Sequence, residues 1–245
     1  MSASRTSGSR SRLPFLLVVV VAAVVIGAAG AAYMLSGSAP AAVSLQSAAP
    51  SPSSGGAGSA GSLDGTWKVD TSIGSFSDFS DSFVGYRVNE TLAQVGSTTA
   101  VGRTPKVSGT LTVAGGAVTA ATVTADLTAL QSDRPPRDAQ LRQQALQTDQ
   151  FPTATFVLAE PIPLPGVPAD GQAFLVTAQG SLTLHGVTRA VSVPLQAKLT
   201  GGVVTVVGSL PISFADYGIV PPQALIVLAV DDHGTMELQL HFARG

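Results

Sequence analysis

From Thr66 to its C-terminus the chain alternates apolar and polar residues with a period of two, again and again. A strand points successive side chains to opposite faces, so this period marks strands with one buried face. Val84, Tyr86 and Val88 alternate with Phe83, Gly85, Arg87 and Asn89; Val107, Leu111 and Val113 alternate with Lys106, Ser108, Thr110 and Thr112. Val123, Ala125 and Leu127 follow the same rule, as do Val191, Val193, Leu195, Ala197 and Leu199. The last run sets Met236, Leu238, Leu240 and Phe242 against Glu237, Gln239 and His241, which places His241 on the outward, solvent-facing phase. Gly115-Gly116, Gly201-Gly202 and Asp231-Asp232-His233-Gly234 suit hairpin turns, and short connections imply antiparallel neighbours. The expectation is an all-β domain of about eight strands, a sandwich or a closed barrel, with the barrel favoured because closure removes exposed edges.

One long connection, roughly 129–150, interrupts the strands with a short helix. Asp133 is the expected N-cap, and Pro135 and Pro136 suit the first turn. Leu141 and Ala145 share one face, with Leu146 beside it, a stripe wide enough to cap a barrel and too narrow for a bundle. Arg137 and Asp138 at the helix start read as ion-pairing and capping residues.

The first quarter of the chain is different material. No charged residue occurs between Arg12 and Asp64. Residues 1–12 are a basic N-terminus, and 13–35 are an apolar run long enough to cross a bilayer. Residues 36–62 are a Ser/Ala/Gly/Pro stretch expected to be a flexible linker, and 63–245 form the folded domain. Arg5, Arg10 and Arg12 hold the N-terminus in the cytoplasm and send the domain outward. The expected location is therefore the cell membrane, single-pass, with the domain extracytoplasmic; cleavage after a signal peptide, with Ala39-Pro40-Ala41 as the small-residue site, is the rival and makes the domain secreted.

Composition excludes several chemistries. There is no cysteine, hence no disulfide, thiol nucleophile or Cys-ligated metal. Setting aside the three N-terminal arginines, 10 of the 13 basic residues face 15 acidic ones, a balance unsuited to nucleic acid. His185 reads as a turn histidine and His233 as part of a turn with Asp231 and Asp232 rather than a metal site. No nucleophile is spaced with a base, no phosphate loop follows a strand, and no cofactor is expected. The chain is read as a non-enzyme.

Three motifs in order carry a resemblance: Arg137-Asp138-Ala139-Gln140-Leu141, then Phe151-Pro152-Thr153-Ala154-Thr155-Phe156, then Gly180-Ser181-Leu182-Thr183-Leu184-His185-Gly186-Val187-Thr188. Trp67-Lys68-Val69-Asp70 before them and Asp216-Tyr217-Gly218-Ile219 after them fit the same pattern. Together they resemble the YceI-like family of lipocalin-shaped polyisoprenoid-binding proteins. The chain departs from the pattern at Ile73-Gly74, where an insertion postpones the match to Ser82–Val88, at positions expected near the pocket mouth.

The resemblance implies a lipocalin-like antiparallel β-barrel of about eight strands with one short helical cap. Its apolar interior would hold a polyisoprenoid, quinone-like or other amphiphilic lipid chain. Val84, Tyr86, Val88, Leu111, Leu127, Phe156, Leu182, Leu184, Val193 and Leu238 are the expected cavity lining. Arg137, Asp138, Leu141, Phe151 and Pro152 are the expected cap helix and corner. The expected partners are this lipid and, through the N-terminal helix, the membrane; a homodimer is compatible with both. The alternative is an envelope- or stress-associated β-domain acting through protein contacts without lipid cargo.

Overall fold

The structure, a computed structural model, describes residues 39–48, 62–93, 95–166, 169–222 and 227–245. The basic N-terminus and the apolar 13–35 run lie outside these residues, and among the described residues no helix is long and apolar enough to cross a membrane.

All strands among the described residues belong to one antiparallel sheet, and a subset closes on itself. β1 (Gly65–Val69), β4 (Val107–Ala114), β5 (Ala117–Asp126), β7 (Thr153–Leu158), β9 (Ala173–Leu184), β10 (Val187–Thr200), β11 (Val203–Ser213) and β13 (His233–Arg244) pair in that order, and β1 pairs back to β13. The choice between sandwich and barrel is thereby settled as a closed barrel of eight staves.

Several staves are broken into two strands. β2 (Phe83–Leu92) lies beside residues 235–239 of β13 and β1 beside 242–244, so β1 and β2 continue one another along the same neighbour. β3 (Gly96–Thr104) pairs with β2 as β4 pairs with β1, and β6 (Gln131–Ser132) extends β5 beside β3. β8 (Ile162–Pro163) pairs with β5 near its start. β12 (Val227–Val230) and β13 both pair with β2, so Asp231–Gly234 kinks a single stave rather than forming the expected hairpin. The Gly115-Gly116 and Gly201-Gly202 hairpins do form, as does a two-residue β9–β10 turn with φ of +51° at His185 and +74° at Gly186. Positive φ at both central residues matches the right-handed twist of the flanking strands.

The cap helix α1 spans Pro135–Gln140 and continues through a π-helical turn, Leu141–Ala145. Its N-cap is Arg134, with no side-chain cap bond, rather than Asp133. The two prolines occupy the first turn as expected, where a missing N–H costs nothing. Asp133 instead bonds Arg137, while Asp138 accepts from the Ser132 N–H at 3.0 Å and the Ser132 hydroxyl at 2.6 Å. The helix is thereby tied to β6. Arg142 donates to the Leu130 carbonyl at 2.9 Å, and the Leu127 N–H donates to Pro152 O at 2.8 Å, which fixes the Phe151-Pro152 corner.

The outer wall holds the largest departures from expectation. His241 points away from the barrel interior, yet it is fully buried, because the 70–82 insertion lies over it. Its Nδ1 bonds the Thr205 hydroxyl at 3.0 Å and its Nε2 the Ser80 carbonyl at 2.8 Å, and burial pushes its imidazole below the ordinary pKa. Period-two reasoning assigns a face but not what covers it. The insertion thus packs on the outer wall rather than at a pocket mouth. Arg103 stands between Phe79 and Phe83, 4.4 Å from each ring centroid, and both Arg103 and Arg87 pair with buried Glu237. Desolvation pushes the neighbouring Asp81 carboxyl up to about 6.

Part of the stretch read as a flexible linker is seated here too. Arg87 donates to Pro40 O at 2.8 Å and Arg103 to Ala41 O at 2.9 Å, while Leu45 and Ala48 are buried with Val207. Low sequence complexity hid two apolar anchors and two carbonyls that serve as acceptors for the half-buried Arg87 and the buried Arg103.

Candidate functional site: two adjoining apolar compartments

The inward phase of the staves encloses two cavities. The first, of about 150 Å³, is walled by Trp67, Leu111, Val123, Phe156, Leu182, Val193 and Leu238, with Leu63, Leu164 and Phe174 also lining it. Every described residue lining it is apolar. Trp67 is held in place by its indole N–H, which donates to the Leu63 carbonyl at 3.0 Å, and by the Arg244 guanidinium 4.9 Å from its ring. The second cavity, of about 140 Å³, lies beneath α1 and is lined by Tyr86, Val88, Leu127, Leu141, Leu184 and Ile219, with Pro221 and Pro222.

Val84, Ala154 and Met236 line both cavities, so the two compartments adjoin across these three side chains. Ala154 is the small member of this waist. A large residue at 154 would crowd the boundary that the two cavities share.

Among the described residues, polar chemistry is confined to the second cavity. Glu90 and Arg137 are the two charged residues among its lining, and they pair at 2.5 Å. Arg137 also donates to Asp133 at 2.6 Å. Burial acts against the guanidinium charge, but Glu90 and Asp133 outweigh it and hold the group above its ordinary pKa. Burial likewise pushes the Tyr86 phenol upward. Among the described residues no three His, Asp or Glu side chains are grouped as a metal site would require. His233 bonds Asp232 at 2.8 Å on an exposed turn, and His185 bonds the Tyr217 carbonyl at 3.0 Å and meets the Phe151 ring edge-on.

All ten residues expected from the sequence to line an interior stand on one of the two walls: Val84, Leu111, Phe156, Leu182, Val193 and Leu238 on the first; Val84, Tyr86, Val88, Leu127 and Leu184 on the second. Of the cap residues, Arg137 and Leu141 line the second cavity. Asp138, Phe151 and Pro152 line neither; they hold the helix and the corner by the Ser132 bonds, the His185 ring contact and the Leu127 bond. Glu90, Ala154 and Ile219 line the site without having been singled out. Glu90 carries no local signal of this role, because its partner lies 47 positions away in α1.

Solved structures resemble this barrel. A polyisoprenoid-binding domain from Saccharophagus degradans, implicated in plant cell wall breakdown, superposes with a TM-score of 0.55 at 18% identity, covering 74% of this chain and 98% of that one. BcnA of Burkholderia cenocepacia gives a TM-score of 0.49 at 22% identity, covering 64% of this chain and 95% of its own. No curated protein matches the chain. The YceI-like domain family matches residues 67–242, a span that begins at the Trp67 of the first cavity and ends on the last barrel strand. The chain belongs to the YceI-like family.

Proposed function

We propose that the domain is a lipid-holding protein, a carrier or sequestering module that takes the hydrocarbon chain of a polyisoprenoid or similar amphiphile into the barrel. The observation that carries this reading is the pair of adjoining compartments, one lined among the described residues by apolar side chains alone and the other mostly apolar around the Glu90–Arg137 pair. A chain enters such a space by leaving water, worth about 0.8 kcal/mol per methylene. Binding of this kind needs no nucleophile and no proton transfer. The polyisoprenoid-binding description of the Saccharophagus degradans domain supports the same class of cargo.

In this proposal the 13–35 run anchors the chain in the cell membrane and the barrel works on the extracytoplasmic side. An anchored carrier stays beside the bilayer from which an apolar cargo has to be collected. The test is native mass spectrometry of the full chain released from detergent, followed by organic extraction and lipid identification. A retained prenyl-chain lipid, or uptake of one when offered, is the expected result. Recovery of the unliganded mass alone, with no uptake of any prenyl chain offered, would refute the proposal.

A further inference from the structure

Residues 39–48 are held on the outer wall at both ends. Arg87 on β2 and Arg103 on β3 donate to the carbonyls of Pro40 and Ala41 at 2.8 and 2.9 Å. Both guanidinium groups pair with Glu237, and the Arg103 side chain is 4% exposed, so the carbonyls supply acceptors that water does not. Further along, the Ala48 N–H closes a turn onto the Ser44 carbonyl at 3.0 Å, and the Ser47 hydroxyl donates to the same oxygen at 2.9 Å. Leu45 and Ala48 of this turn pack with Val207 of β11, and Ala48 keeps no exposed surface.

This seating changes what the N-terminal stretch can be. Cleavage after Ala41 would remove both carbonyls and leave a new α-ammonium at residue 42 beside the Arg103 guanidinium. The seating also shortens the tether. A Ser/Ala/Gly/Pro stretch over the 27 residues 36–62 would have an r.m.s. reach of roughly 30 Å and a limit of about 90 Å. With Pro40 held, the chain between the apolar run and the wall is residues 36–39, which reach about 14 Å at most. Residues 49–61 then join two parts of one folded unit and add nothing to the tether.

Resting on the anchored, lipid-holding reading, we propose that the outer wall of β2, β3 and β11 is the docking surface for the chain's own segment 39–48, and that it keeps the barrel at the bilayer on an uncleaved tether of residues 36–39. A short tether raises the effective concentration of the barrel at the surface from which an apolar cargo is collected.

The test uses the full chain in phosphatidylcholine liposomes. The chain has no cysteine, so Asp232→Cys, at a side chain 98% exposed, takes a single long-lifetime dye. Two variants receive the same Gly/Ser spacer of roughly 20 residues, one between residues 38 and 39 and the other between 55 and 56. Neither insertion removes a contact of the strap. In the wild type the dye anisotropy is expected to decay to a high plateau, because the tethered barrel cannot tumble freely. The upstream spacer should abolish the plateau, and the downstream spacer should leave it unchanged; the intact mass of the membrane-held protein should include residues 39–48. Equal plateaus for the two spacer variants, or a wild type that tumbles as freely as the upstream variant, overturn the strap and leave the lipid-holding reading intact. A barrel recovered from the soluble fraction with its N-terminus at residue 42 overturns the tether, and prenyl-chain uptake by that barrel decides the lipid-holding reading separately.

Discussion

The waist between the compartments offers the sharpest test of how the barrel measures a chain. Ala154 on β7 lines both cavities, as do Val84 and Met236. Replacing it with Leu adds three carbons where the compartments adjoin. A dry apolar cavity of about 150 Å³ accommodates benzene, and the two compartments measure about 150 and 140 Å³. Each therefore holds on the order of six carbons, and together about a dozen, between two and three prenyl units. Closing the waist removes about six carbons of burial, roughly 5 kcal/mol gross at 0.8 kcal/mol per methylene. Ordering the chain offsets about half of this, so the net loss is about 2.5 kcal/mol, a 50- to 100-fold weaker Kd.

The assay is a Kd series against five-, ten- and fifteen-carbon prenyl alcohols. The wild type should gain affinity from five to ten carbons and then level off. Ala154→Leu should bind the five-carbon alcohol normally and gain little beyond it. Thermal unfolding without ligand separates this effect from overpacking, which costs about 1–3 kcal/mol on its own. A variant that keeps the full gain from five to ten carbons would refute the idea that the two spaces act as one.

Leu182→Arg places a charge against the wholly apolar first cavity and should abolish uptake of any prenyl probe in the same titration. Asp138→Ala leaves the half-buried Ser132 N–H without its acceptor and should lower stability by about 1–3 kcal/mol in urea unfolding, with Ser132 and α1 amides losing hydrogen-exchange protection first. Asp81, pushed up to about 6, binds its proton more readily folded than unfolded, so its contribution favours the fold on acidification through the window from about 6 down to the ordinary carboxyl value of 3.8. His241, held below its ordinary value, acts in the opposite direction. The difference in Tm between wild type and Asp81→Asn should therefore shift toward the wild type from pH 7 to pH 5; a pH-independent difference would remove Asp81 from the account.

Much of the fold was legible because period-two alternation reports a physical fact about each strand: one face leaves water. That is why Val84, Tyr86 and Val88, or Leu182 and Leu184, could be assigned to an interior before any strand was paired. Short glycine turns reported antiparallel neighbours for the same local reason. Misreadings arose where distant chain meets the strand. His241 was placed outward correctly as to face and wrongly as to solvent, since the 70–82 insertion buries it. Asp231–Gly234 has hairpin chemistry, but both flanking strands are held by β2.

By itself the sequence determined an all-β domain with an apolar inward phase, a single short cap helix opened by Pro135 and Pro136, and the motifs of the YceI-like family. These depend on local backbone preference and on which side chains avoid water. The tertiary structure alone decided the closure of β1 on β13, the waist at Val84, Ala154 and Met236, the Glu90–Arg137 pair and the seating of 39–48 on Arg87 and Arg103. Each of these joins residues far apart in the chain or depends on space left empty between them, and neither relation leaves a mark on local composition.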